Sequence, residues 1–150
     1  MKRGEELLLC GKTEWAVVEF GTQRMAPASK VFSESLRFRE FSACREPFAL
    51  VPDHFDGAEP YASYLVRSTD IDLGGHMNNA AYLKAMFGTF SNAELKSLEI
   101  CTVDAMFRSP CFEGDKLVWQ RTEVPEGLHI RAQCKEKTVF LASLATGIAR

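Results

Sequence analysis

The stretch Asp70-Ile71-Asp72-Leu73-Gly74-Gly75-His76-Met77-Asn78-Asn79 gathers the residue types that acyl transfer to water requires. Asp72 supplies a carboxylate, which can attack a carbonyl carbon or take a proton from water. Gly74-Gly75 lets the backbone turn tightly, and Gly75 in particular lets it come close to a ligand. His76 adds a second group able to carry a proton. Asn78-Asn79 opens what reads as a helix. The first N–H groups of a helix lack intrahelical partners and lie at the positive end of its dipole. A carbonyl oxygen placed at Asn78–Ala80 would be polarised there, and an oxyanion stabilised. Each part has a plainer use: aspartates cap helices, glycine pairs make turns, and lone histidines are mostly structural. Their conjunction at one strand-to-helix junction is what points to a site.

The junction needs a strand before it and a helix after it. Tyr61–Thr69 reads as the strand. Tyr82, Leu83, Met86, Phe87 and Phe90 recur at helical spacing and predict an amphipathic helix from Asn79 to about Ala93, with Asn78 as N-cap. Tyr82 and Met86 are core positions on this reading, and a core that lines a cavity would make them walls of an acyl pocket. Strands are predicted over Leu98–Arg108, Lys116–Val124, the alternating run from Leu128 to Lys135, and Thr138–Ile148. The last is apolar nearly throughout, as a central strand would be. One long helix followed by four strands, read as an antiparallel meander, makes an α+β domain whose sheet must wrap the helix. Upstream, a strand is predicted across Lys12–Phe20 and a short helix from about Ser29. Residues 23–59 are broken by Pro27, Pro47, Pro52 and Gly57. They carry too many aromatics for a free linker, so they should pack on something apolar.

The 150 residues suffice for one domain, and the net charge of -2 gives no reason to expect nucleic acid or an acidic membrane surface as partner. The five cysteines, Cys10, Cys44, Cys101, Cys111 and Cys134, are odd in number and scattered. None forms a C-x-x-C pair or sits at zinc spacing from a histidine, so reduced thiols and no metal or cofactor are expected. No apolar run approaches the roughly 20 residues of a membrane span, and a cytoplasmic location is expected.

The wording D-x-D-x-x-G-H-x-N-N-x-x-Y from Asp70 to Tyr82 resembles the hotdog thioesterases. It is close to the acyl-ACP thioesterase signature and also similar to 4-hydroxybenzoyl-CoA thioesterase-type enzymes. Arg108–Asp115, ending in Gly114-Asp115, looks like their recurrent strand-turn segment. Thr13-Glu14-Trp15-Ala16-Val17-Val18 looks like the strand before the linker between the two hotdog repeats of acyl-ACP thioesterases. The resemblance implies that residues 1–59 are the end of a first repeat plus linker, and residues 60–150 a hotdog thioesterase domain. On this view Met1 is an internal methionine or a late start; the alternative is a true single-repeat protein.

The resemblance further implies hydrolysis of fatty acyl-ACP or acyl-CoA by a homodimer. Asp72, His76, Asn79 and Cys111 stand at catalytic positions, and Gly75, Asn78, Tyr82 and Met86 near the substrate. Three positions depart from the family pattern: Gly74 and Pro110 replace an asparagine and an acid, and Gly88 falls where many hotdog thioesterases have a helical acid. Asp72 is then the only evident carboxylate, and Cys111 reads better as a small buried hydrophobe than as a nucleophile. Two other readings compete. One is a non-catalytic hotdog protein that binds acyl groups or dimerises. The other, ranked lower because of the Asp-to-His spacing, is a hotdog hydratase or dehydratase.

Overall fold

A computed structural model describes residues 1–19, 21–22, 24–33 and 48–147. The chain divides into two compact units, residues 1–47 and 48–150. In the first, strands β1 (Lys2–Arg3) and β2 (Glu6–Leu7) form a small antiparallel hairpin. The strand expected across Lys12–Phe20 is not formed over residues 12–19. Val18 makes an isolated bridge to Met25, and Trp15 is exposed. Aromatic and β-branched residues favour an extended chain, but a strand exists only where its backbone groups find a partner. The short helix expected near Ser29 is a single 3₁₀ turn, Ala28–Lys30.

The second unit carries β3 (Ala62–Leu65), a 3₁₀ turn (Ser68–Asp70), helices α1 (Asn79–Phe87) and α2 (Asn92–Ser97), then β4 (Ile100–Phe107), β5 (Lys116–Val124), β6 (Gly127–Cys134) and β7 (Lys137–Thr146). All five strands are antiparallel neighbours in the order β3-β5-β6-β7-β4. The four later strands are therefore not a simple meander. β4 runs beside β7 at one edge, and residues 108–115 carry the chain across to β5 near the other. The central position expected for the last strand holds. Phe140, Ala142 and Leu144 of β7 join the core around Tyr82, Met86, Trp119 and Ile130. Leu141, pointing the opposite way, is covered by Val51 and Phe55. Burial on both faces is why this run lacks polar alternation. β6 shows the one-sided case, with Leu128, Ile130, Ala132 and Cys134 buried and their neighbours half-exposed. Full burial of a side chain such as Met86 or Ile130 contributes about 1.5–3 kcal/mol.

The aromatic-rich segment does pack, in part. Residues 48–59 belong with the sheet. Arg131 stacks on Phe55 and pairs with Asp53 at 3.1 Å, while Gln120 donates to the Ala58 carbonyl at 2.6 Å. Phe32, Phe48 and Leu50 remain exposed, and Leu36, Phe38 and Phe41 lie outside the described residues.

The helix is shorter than its apolar spacing suggests. Asn78 caps it as expected, its side chain accepting the Ala80 N–H at 2.8 Å. It stops at Gly88, and Thr89 turns its hydroxyl onto the Met86 carbonyl at 2.6 Å. Ser91 then caps α2 in a reciprocal capping box with Glu94. Phe90, in the break, still reaches the core. The box, helped by Arg121, holds the Glu94 carboxyl down to about 2 from an ordinary 4.5, the Ser91 N–H being the main cause. A depressed acid contributes stability that is full above its ordinary value and is lost as pH falls through the folded value. Glu94→Gln keeps the box but not the charge. Its melting temperature should therefore fall below the parent's at pH 6, and the gap should close between pH 4.5 and 2.

Gly127, at the start of β6, has φ 146°, and a Cβ there would collide with the Leu144 carbonyl oxygen. Relief requires moving paired backbone of β7, so Gly127→Ala should destabilise the fold by roughly 3 kcal/mol or more, read by denaturant unfolding.

Candidate active site

After β3 the chain turns sharply, and Asp70 holds the turn. Its side chain is buried and accepts the Tyr64 hydroxyl and the Arg67 N–H, each at 2.8 Å, while its carbonyl accepts the Asn78 N–H at 2.8 Å. Burial, seconded by this bond, raises the Tyr64 phenol above its ordinary value. Asp70 is thus committed to structure. The motif reads as though both aspartates were free, and no spacing signal marks which one is used up.

From this anchor the chain makes a narrow loop. Asp72 N–H donates to the His76 carbonyl at 3.1 Å, and Gly75 N–H donates to the Asp72 carbonyl at 3.0 Å. Gly75 has φ 77°, which a glycine adopts readily; an added Cβ there would meet nothing within 4 Å. Its requirement is therefore one of backbone conformation. Gly74 is tighter. A Cβ on it would lie 3.0 Å from Asp72 Oδ1 and 3.0 Å from His76 Nε2. The glycine that departs from the family pattern is what leaves room for these two side chains.

Asp72 and His76 come together. Asp72 Oδ1 accepts the Gly74 N–H at 2.7 Å and lies 3.9 Å from His76 Nδ1, within coulombic reach but too far for a direct hydrogen bond. Both side chains stay accessible, Asp72 at 32% and His76 at 45%. The helix start lies just beyond. Asn78 N–H is taken by Asp70 and Ala80 N–H by the Asn78 side chain. Of the three amides expected to be available, Asn79 N–H alone has no partner among the described residues. It is the first helical position, where no intrahelical bond is possible.

Cys111, Tyr82 and Met86 are buried. Cys111 is buried in the core, and burial pushes its thiol up to about 11, despite a lowering contact from Tyr82. Its backbone supports the loop, its carbonyl accepting the Met77 N–H at 2.8 Å. Tyr82 stacks on Phe140 with centroids 5.7 Å apart, and Met86 is fully buried. A thiol this well protonated is a poor nucleophile. Cys111→Ala should keep most thioesterase activity while costing about 1 kcal/mol of stability, from paired kinetic and unfolding measurements on chelator-treated parent and variant. A cleft of about 240 Å³ opens between β3 and α1, lined by Ala62, Ser63, Tyr64, Lys84, Ala85, Gly88 and Thr89. Gly88 therefore faces a hollow, a role its place in the sequence does not reveal. Arg108 is engaged with Asp53 at 3.1 Å.

Known proteins share the fold. Residues 56–142 match the acyl-ACP thioesterase C-terminal domain. An acyl-ACP thioesterase from Bacteroides thetaiotaomicron superposes with a TM-score of 0.71 at 17% identity, over 87% of this chain and 53% of that one. A structure described as an oleoyl thioesterase from Lactobacillus plantarum superposes with a TM-score of 0.62 at 18% identity, over 86% of this chain and 54% of that one. The chain thus spans about half the length of these two proteins. No curated protein sequence matches it. The α+β sheet wrapped on a helix is a hotdog fold, and the chain belongs to the acyl-ACP thioesterase C-terminal domain family.

Proposed function

We propose that this protein hydrolyses acyl thioesters, with fatty acyl-ACP or acyl-CoA as substrate. The observation that carries the reading is one junction holding an accessible carboxylate, Asp72, and one unpartnered amide, Asn79 N–H, at a helix N-terminus. Asp72 takes a proton from water as that water attacks the thioester carbon, or attacks the carbon itself to form a mixed anhydride that water then hydrolyses. The developing oxyanion is received by the Asn79 amide in the positive field of α1. The tetrahedral intermediate collapses, the C–S bond breaks, and His76 protonates the departing sulfur. The products are a carboxylate, a thiol and one proton. Asn78 shapes the oxyanion site by capping the helix, and the cleft beside Lys84 and Gly88 suits part of the substrate's chain.

We propose a homodimer as the working form, since β3 and β4 are sheet edges with one strand neighbour each among the described residues. A second reading, a non-catalytic acyl binder, is favoured by Gly74, Pro110 and Gly88 standing where the family pattern has polar groups. Release of free thiol from an acyl-CoA and acyl-ACP chain-length series decides between them. Turnover above the uncatalysed rate on either carrier supports hydrolysis. Saturable binding without turnover supports the binder.

A further inference from the structure

Beneath the loop lies a cluster that hydrolysis does not use. One ligand atom each from Cys111, Cys134 and Asp115 lies within 4.8 Å of the others. Cys111 precedes the turn into β5 and Cys134 ends β6, so two separate segments converge on the point. Both thiols are buried, and Asp115 is half-buried. Asp115 is held from outside, one oxygen accepting Lys135 Nζ at 2.8 Å and the other the Phe112 N–H at 2.9 Å. The three residues fit no C-x-x-C or Cys/His spacing, so no sequence pattern marks the cluster.

We infer that Cys111, Cys134 and Asp115 form a binding site for a thiophilic divalent cation, zinc being the natural occupant. Two thiolates with one carboxylate are a soft donor set that favours Zn²⁺ over Mg²⁺ or Ca²⁺. Tetrahedral zinc, with Zn–S of about 2.3 Å and Zn–O of about 2.0 Å, sets its ligands roughly 3.5–3.8 Å apart. The observed spacing, at most 4.8 Å, therefore asks for a contraction of no more than about 1.3 Å, within reach of side-chain rotation at a strand end and a turn. Charge also balances. Two thiolates and a carboxylate around M²⁺ leave a net of -1, which the Lys135 ammonium beside Asp115 offsets. Without an ion both cysteines are thiols, raised chiefly by burial. Binding forms two M–S bonds and one M–O bond and releases two protons, so affinity rises with pH. The ion would pin the Cys111 segment, and through the Cys111 carbonyl the loop at Met77, to the end of β6.

The test is titration of the chelator-treated, reduced protein with Co²⁺, followed by displacement with Zn²⁺. The expected result is one Co²⁺ per chain, with a near-ultraviolet sulfur-to-metal charge-transfer band that Zn²⁺ abolishes. Cys134→Ser should weaken the band, and the double variant Cys111→Ser, Cys134→Ser should remove it. Asp115→Asn, an isosteric change on a turn that leaves both thiols, should weaken Co²⁺ binding by at least about 10-fold, the lower range for loss of a group supporting a metal site. No band in the parent protein overturns the inference. So does a band that survives the loss of both Cys111 and Cys134 thiols, which would place the metal on other cysteines, or an affinity unmoved by Asp115→Asn.

Discussion

Asp72→Asn is expected to lower kcat for acyl thioester hydrolysis by at least ~100-fold and to leave the melting temperature nearly unchanged. The asparagine side-chain oxygen can still accept the Gly74 N–H that Asp72 Oδ1 accepts at 2.7 Å, so the turn should keep its shape. What disappears is the charge and the basicity. Because Asp70 is buried beneath Tyr64 and Arg67, it cannot stand in for the lost carboxylate without dismantling the turn. An unchanged rate would mean that water is activated elsewhere, with His76 the next group to vary.

The second large effect concerns a backbone atom. Asn79→Pro should lose hydrolysis by about 100- to 1000-fold relative to Asn79→Ala, the scale of one oxyanion donor at other acyl-transfer sites. Compared with alanine there, proline removes the N–H. Its φ suits the first helical position, where it is well tolerated, and Asn78 already has the extended backbone, ψ 142°, that a residue before proline prefers. Both variants lose the Asn79 side chain, so their ratio isolates the amide and Asn79→Ala against the parent reports the side chain. Circular dichroism of the pair should coincide. Equal rates in the two variants would move the oxyanion site off α1. Gly75→Val is a weaker probe than its place in the motif suggests, because its φ of 77° makes any side chain strain the loop as well as crowd a substrate.

The strands of the sheet were legible because burial on one face writes itself as alternation, as in β6, and burial on both faces as a continuous apolar run, as in β7. Their order was not. Nothing local in residues 100–107 says that this strand pairs with Phe140–Thr146 at the far edge and not with the next strand in sequence. The helix ends before its apolar spacing does, for a different reason. Phe90 keeps the apolar spacing while lying in a break, and the stop was written in Gly88 and in the Ser91–Glu94 box, a capping signal that periodicity overrides if read first. In the site, the motif located the loop and the cap. It did not show that Asp70 and the Asn78 side chain consume neighbouring donors and leave the Asn79 amide. Hydrogen-bond bookkeeping of that kind requires the folded backbone. Nor did it show the value of Gly74, whose missing Cβ is a property of two other side chains.

A crystal structure with a non-hydrolysable acyl thioester analogue, its sulfur replaced by methylene, tests the site most directly. The analogue's carbonyl oxygen is predicted within about 3 Å of Asn79 N, a hydrogen-bond distance, with the Asp72 carboxylate facing the carbonyl carbon from the other side. An analogue bound with its carbonyl away from this helix end would contradict the assignment of the junction as the active site.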